Sequence, residues 1–210
     1  MTQTILYSYR RCPYAMRARM ALVYSGIPVE IREISLREKP SVMLAISPKG
    51  TVPVLQQGQL VIDESYQIMQ WALAQSDPDQ WFKKELEQSI HQWVATNDGP
   101  FKKLLDQYKY PDRFPQENIE NTLKMAIELQ LQPLEHQLSQ SPFIFGEKMS
   151  LADVAIFPFV RQFAMVDQAR FDQLGLSALK RWLNGYLESR LYLSVMTKYP
   201  VWKDAPSEKE

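Results

Sequence analysis

Over the first third of the chain short apolar runs alternate with amphipathic stretches, and beyond it apolar positions recur almost only at helical spacing. Thr4–Ser8, with Ile5, Leu6 and Tyr7, reads as a buried strand. Met16, Met20, Leu22 and Val23 then repeat at helical spacing, predicting a helix over Pro13–Ser25 that Gly26 ends. Val29–Glu33 reads as a second strand, and Lys39–Ile46 as a short helix stopped by Ser47-Pro48-Lys49-Gly50. Val52–Gln56 and Leu60–Ile62 flank Gln57-Gly58-Gln59 as an antiparallel hairpin, and Ser65–Gln75 is again helical.

Asp77-Pro78-Asp79 is a turn that separates this mixed region from a helical one. Trp81–Thr96 places Leu86, Ile90, Trp93 and Val94 on one face, and Gly99-Pro100 is expected to break or kink that helix. A turn follows at Pro111 to Pro115. Glu117–Leu138 predicts a long helix bent at Pro133, with Ser141-Pro142 beyond its end. Ser150–Met165 and Leu176–Ser189 supply two further helices, and Asp204–Glu210 is a polar tail expected to fray. The element order β-α-β-α-β-β-α is that of a thioredoxin-like α/β domain over about residues 1–76, followed by an all-helical domain over about 81–200.

Composition narrows the function classes. The chain of 210 residues is 45% hydrophobic and 23% charged, as in an ordinary soluble globular protein. Lys+Arg and Asp+Glu both number 24, so no net charge draws it to nucleic acid phosphates. No run approaches the roughly 20 apolar residues that span a bilayer, so no membrane partner is expected. The single cysteine cannot form an internal disulfide. With no charged-then-apolar leader visible, a reducing, cytoplasmic location is expected.

That cysteine, Cys12, lies in Arg10-Arg11-Cys12-Pro13-Tyr14-Ala15, between the first strand and the first helix. Pro13 suits the first helical position, where a missing N–H costs nothing. The free N–H groups and the positive end of the helix dipole stabilise a thiolate at that place, and Arg10, Arg11 and Arg17 are near in sequence. Such surroundings lower a thiol pKa from about 8.5 into the range of roughly 3.5–7.5, which makes Cys12 a candidate nucleophile. Lone cysteines more often serve as small core hydrophobes, and the strand-proline-helix context favours the reactive reading here. Ala15 stands where a C-x-x-C motif has its second thiol, so the site is monothiol.

Two further places carry chemistry. Val52-Pro53 opens a strand after the turn Lys49-Gly50-Thr51, and at this place of a thioredoxin-like domain the bond is expected to be cis. The N–H and C=O of Val52 are then free to pair with an extended peptide-like ligand. A trans edge-strand proline is the plainer alternative. Asp63-Glu64-Ser65 lies where the hairpin meets the next helix. Ser65 can cap that helix, and the N–H groups behind it form an anion site.

Taken together these elements resemble the glutathione S-transferase family, in its cysteine-type branch of omega, glutaredoxin-like and dehydroascorbate-reductase members. The matching residues are Arg11-Cys12-Pro13-Tyr14-Ala15, Lys39-Pro40, Ser47-Pro48-Lys49-Gly50-Thr51-Val52-Pro53-Val54-Leu55, Asp63-Glu64-Ser65 and, in the helical half, Ser150-Leu151-Ala152-Asp153. The resemblance implies that Cys12 is the catalytic thiol facing the sulfur of glutathione, the co-substrate. It implies that Val52, ahead of Pro53, pairs with the cysteinyl backbone, that Glu64 and Ser65 hold the γ-glutamyl end, and that Lys39 approaches the glycyl carboxylate. Lys49 has no clear role in the match. Ser150-x-x-Asp153 is a capping-box pattern that bears on folding.

The implied activity is glutathione-dependent thiol transfer, or disulfide or dehydroascorbate reduction, through a Cys12–glutathione mixed disulfide. The alternatives are a conventional glutathione-conjugating transferase, with a hydroxyl of Tyr7, Ser8 or Tyr14 activating glutathione, and a non-catalytic binding protein on the same fold. The acceptor, a small molecule or a protein disulfide, is not identified by any motif. It is expected in the cleft between the domains, against Phe101, Tyr108 and Phe163. His91 and His136, the only histidines, fall in different predicted helices, so no metal site is expected. The protein is expected to be a monomer or a homodimer.

Overall fold

The computed structural model describes residues 3–204. They form two compact units, one of residues 3–78 with 190–204 and the other of residues 79–189.

The first unit begins with β1 (Thr4–Ser8), α1 (Pro13–Tyr24), β2 (Glu30–Glu33) and α2 (Ser41–Ile46), then β3 (Val54–Gln57), β4 (Leu60–Ile62) and α3 (Ser65–Gln75). The sheet order is β2-β1-β3-β4. β1 pairs parallel with β2 and antiparallel with β3, with Tyr7 opposite Val54, and β3 pairs antiparallel with β4. This is a thioredoxin-like domain. The two-residue hairpin turn needs a positive φ at Gly58, which glycine supplies without a Cβ clash. Every residue of α1 from Pro13 to Leu22 except Tyr14 is buried, and α1 lies against α3.

Residues 190–204 return to this unit. A short helix at Arg190–Val195 packs on α1, with Tyr192 and Val195 buried. Beyond it Val201 bridges Glu33 at the end of β2, and the Trp202 N–H donates to the Glu33 carbonyl at 2.7 Å. Trp202 packs on the cluster of Tyr7, Ile34, Met43 and Val54. The contact division therefore removes 190–204 from the helical unit, which the sequence pattern extends to about 200. Single apolar residues in a polar tail have no periodicity to betray that docking. Of the tail expected over 204–210, Asp204 is ordered by accepting from the Ser41 N–H and hydroxyl, and residues 205–210 lie outside the described residues.

The second unit is helical: α4 (Glu87–Thr96), α5 (Lys102–Lys109), α6 (Ile119–Ala126), α7 (Gln132–Gln140), α8 (Leu151–Ala164), α9 (Gln168–Asp172) and α10 (Ser177–Leu187). Gly99-Pro100 does not break the chain between α4 and α5. A π-helical turn over Asn97–Phe101 contains it, and a second over Ile127–Leu131 precedes Pro133, so each wide turn accommodates a proline without ending the helix. α8 is buried along most of its length. Its start is a capping box, in which Ser150 Oγ accepts from the Asp153 N–H and Asp153 accepts from the Ser150 N–H. Asp153 also accepts from the Ile144 N–H and from Trp182 Nε1. Burial raises its pKa against the pull of those hydrogen bonds, Ser150 first. Among the described residues no helix is long and apolar enough to cross a membrane.

Candidate functional site

Cys12 is the N-cap residue of α1, half-buried and extended, with Pro13 as the first helical residue. The preceding residues Tyr9–Cys12 form a tight turn in which the Cys12 N–H donates to the Tyr9 carbonyl at 3.0 Å. The Val52–Pro53 bond is cis, and Cys12 Sγ donates to the Val52 carbonyl at 3.8 Å. Two segments 40 residues apart therefore meet with a thiol against a main-chain carbonyl. The Val52 side chain packs on the apolar cluster below the sheet end, which holds that backbone in place.

The arginines near Cys12 in sequence reach different partners. Arg11 turns outward and donates to the Tyr9 hydroxyl. Arg17 is buried, stacks over the Tyr14 ring and donates to Ser65 Oγ at 3.0 Å. Arg10 contributes its backbone, its N–H donating to Glu33 Oε1 at 2.7 Å. The cation that sequence reasoning missed is Arg19, buried on α1, which donates to Ser8 Oγ at 2.6 Å and to the Arg10 carbonyl at 2.8 Å. Burial lowers its pKa, opposed by the charges of Glu33 first and Cys12 second. A signal was present: Arg19 lies seven residues, nearly two helical turns, beyond Cys12, in a stretch that is apolar apart from Arg17 and itself.

Of the hydroxyls considered as alternatives to Cys12, those of Tyr7 and Ser8 accept from buried or half-buried arginines. The buried Tyr7 hydroxyl accepts from Arg32 at 2.8 Å, while its ring meets Trp202 edge-on. Ser8 is buried with Arg19 on its oxygen, and Tyr14 lies under Arg17.

Ser65 does not cap α3. The N-cap is Glu64, whose side chain makes no capping bond, and Ser65 is the first helical residue, buried with its hydroxyl on Arg17. Its N–H stands among the first-turn donors that a helix leaves unpaired. Beside it Lys49 donates to Glu64 at 2.6 Å and to Asp63 at 3.1 Å, and Asp63 also accepts from Ser47 Oγ at 2.9 Å. Burial of Asp63 acts to raise its pKa, but hydrogen bonds from Lys49 and Ser47 outweigh it and the pKa is lowered. Lys39 is exposed and lies over Gly50, its Nζ 3.3 Å from where a Cβ would stand. Gly50 has a φ of +60°, so glycine serves both the turn and the close approach of that lysine. Lys39, the 49–53 turn, Cys12 and the 63–65 corner thus all belong to the first unit.

Phe101, Tyr108 and Phe163, expected to face an acceptor, are buried and pack on one another, with Tyr108 and Phe163 ring centroids 5.0 Å apart. They are core residues of the helical unit. A groove of about 650 Å³ lies elsewhere on that unit, between α5 and α6, with Leu104, Thr122, Met125 and Leu129 among its lining. Among the described residues no group of three or more His, Cys, Asp and Glu is placed to hold a metal ion.

Two family models match this chain: the N-terminal domain of glutathione S-transferase over residues 6–81, and its C-terminal domain over residues 116–185. They account for more than half of the sequence, and the chain belongs to the glutathione S-transferase family. It is 26% identical to glutathione S-transferase omega-1 of Mus musculus over 211 residues, covering 95% of this chain and 78% of that one. Glutathione S-transferase 4 of Zea mays is 25% identical over 224 residues, covering 98% and 97%. A solved glutathione transferase family member from Pseudomonas fluorescens pf-5, with two glutathione bound, has the same fold at a TM-score of 0.80 and 20% identity, covering 93% of this chain and 92% of that one.

Proposed function

We propose that this transferase is a glutathione-dependent thiol transferase of the cysteine-type branch. The observation that carries the reading is the Cys12 thiol at the N-terminus of α1, against the Val52 carbonyl of the cis bond. The similarity to omega-1 relatives over most of the chain supports it. So do the hydroxyls of Tyr7 and Ser8, buried with Arg32 and Arg19 as their donors.

In this reading glutathione lies along the first unit. The Val52 backbone pairs with the cysteinyl residue. The γ-glutamyl end meets Glu64, through its exposed carboxylate, and Ser65, through its main-chain N–H, because the Ser65 hydroxyl is taken by Arg17. Lys39 lies toward the glycyl carboxylate. The Cys12 thiolate attacks the glutathionyl sulfur of a mixed disulfide, forming Cys12–S–S–glutathione and expelling the acceptor thiolate, which takes a proton from solvent. A second glutathione thiolate then attacks the glutathionyl sulfur of that adduct, giving oxidised glutathione and the Cys12 thiolate. No other cysteine exists in the chain to resolve it.

Oxidised glutathione should add one glutathionyl group to the protein, seen as an intact-mass increase that reduced glutathione reverses. Both steps must run at least as fast as steady-state turnover with a disulfide substrate; a slower adduct overturns the mechanism. Cys12→Ala should abolish exchange. If it spares conjugation of a model electrophile that the wild type accepts, the conjugating alternative holds instead.

A further inference from the structure

We infer that Arg19 is a positioning residue for Cys12, fixing the loop that carries the thiol and supplying the buried positive charge its thiolate faces. The inference deepens the reading of Cys12 as nucleophile and rests on it.

The geometry is a clamp. Side chains on a helix tilt toward its N-terminus, so Arg19 reaches back along α1 toward the Cys12 end. One guanidinium nitrogen donates to Ser8 Oγ, on the last residue of β1, and another to the Arg10 carbonyl, within the tight turn that ends at Cys12. The fork geometry of arginine lets one side chain hold both ends of that short segment, which a lysine's point charge cannot do. Glu33 closes the clamp from β2, accepting from the Arg10 N–H. The turn is thus held at the carbonyl of Arg10 by a cation and at its N–H by an anion.

Charge follows the same layout. Arg19 is 3% exposed, and the groups that act on it electrostatically are Glu33, Cys12, Tyr199 and Arg10. Glu33 acts most strongly of these and is the carboxylate among them, so it is the countercharge. Arg19 Nε has no acceptor among the described residues, leaving part of the guanidinium unneutralised by hydrogen bonds. A buried charge is weakly screened, so this cation favours the ionised thiol over several ångströms. Glu33 opposes it by partly cancelling that charge.

The sign of the response separates this role from a structural one. Alkylation of the single thiol by iodoacetamide, followed against pH in the full-length protein, gives a midpoint for each variant. Arg19→Met should raise the midpoint by about one pH unit, and Arg19→Lys should restore most of that shift. Glu33→Gln, which keeps an acceptor for the Arg10 N–H, should move it the opposite way, downward. Loss of loop order alone would raise the midpoint of Arg19→Met and leave that of Glu33→Gln, whose turn stays held, unmoved or raised, and either result for Glu33→Gln overturns the inference. Two shifts of equal sign, or none, overturn the inference. Should Arg19→Met fail to fold, an unmoved or raised midpoint in Glu33→Gln is enough to overturn it, and a lowered one upholds it. A wild-type midpoint at or above that of a free thiol defeats the nucleophile reading separately, while the directions of the variant shifts still decide the role of Arg19.

Discussion

Arg17 Nε donates to Ser65 Oγ at 3.0 Å, joining the middle of α1 to the first residue of α3 in the interior of the first unit. The same serine was expected to cap α3, and its burial against a cation changes what its loss should do. A capping hydroxyl removed from a solvated helix end costs about 0.5–2 kcal/mol. A hydroxyl removed from a buried charged donor leaves that donor short of an acceptor.

Ser65→Ala should therefore destabilise the fold by about 1–3 kcal/mol, measured by urea unfolding. Glu64→Ala, at the formal N-cap with no capping bond, should change stability by less than about 1 kcal/mol. If the serine were only a cap, the two losses would be comparable. Glutathione affinity gives the converse test: under the proposed binding mode Glu64→Ala weakens it while stability holds.

How much of this was legible depends on the range of the forces involved. α3 over Ser65–Gln75, the hairpin about Gly58, Pro13 at the head of α1 and the Ser150–Asp153 capping box all follow from residues within four of one another. Local rules of period, turn and cap reach that far. Arg17 with Ser65, Arg19 with Ser8 and Arg10, and Trp202 with Tyr7 pair residues that are distant in sequence or lie on opposite sides of a turn. Nothing in hydrophobic periodicity encodes such pairings. The π turns were illegible for another reason. Pro100 and Pro133 announce a disturbance, but whether the helix stops or widens is decided by packing on both sides.

Lys49 bridges Asp63 and Glu64 at the corner before α3, and the lowered pKa of Asp63 links this bridge to pH. A carboxylate whose folded pKa lies below its unfolded value of about 3.9 adds stability above that value and loses it as pH falls through the folded one. Lys49→Met should raise the Asp63 titration midpoint, read by NMR of its carboxyl carbon, and move acid unfolding to higher pH. At pH 7 the cost should be small, because both partners are partly exposed and solvent screens them. An Asp63 midpoint unaltered by the substitution would mean that the bridge does not persist in solution.

Asp153 accepts hydrogen bonds from the Ile144 and Ser150 N–H groups and from Trp182 Nε1 while fully buried. Asp153→Ala strands those donors and should cost about 3 kcal/mol or more. Asp153→Asn keeps an oxygen for Ile144 and Trp182 but turns an amide toward the Ser150 N–H, so about 1–3 kcal/mol is expected. Chemical denaturation of both variants orders the losses. Equal losses would show that the charge, not the set of acceptors, is what the helical unit needs.

Trp202 closes the C-terminal segment onto the first unit. Its N–H donates to the Glu33 carbonyl, its ring meets Tyr7 at 5.9 Å between centroids, and the Arg32 guanidinium lies 4.4 Å from it. The same Glu33 holds the Arg10 N–H through its side chain, so one residue of β2 ties Trp202 to the turn bearing Cys12. Trp202→Ala should uncover Tyr7, Ile34, Met43 and Val54 and cost roughly 2–3 kcal/mol, less than a fully buried tryptophan because the ring is partly exposed. Trp202→Phe should recover much of this, since an aromatic face remains for Arg32. Hydrogen exchange supplies the local readout: in Trp202→Ala the amides of β2 and the Tyr9–Cys12 turn should lose protection more than those of α8. Uniform loss across both units would mean that the segment contributes only to global stability and that Glu33 transmits nothing to the thiol-bearing turn.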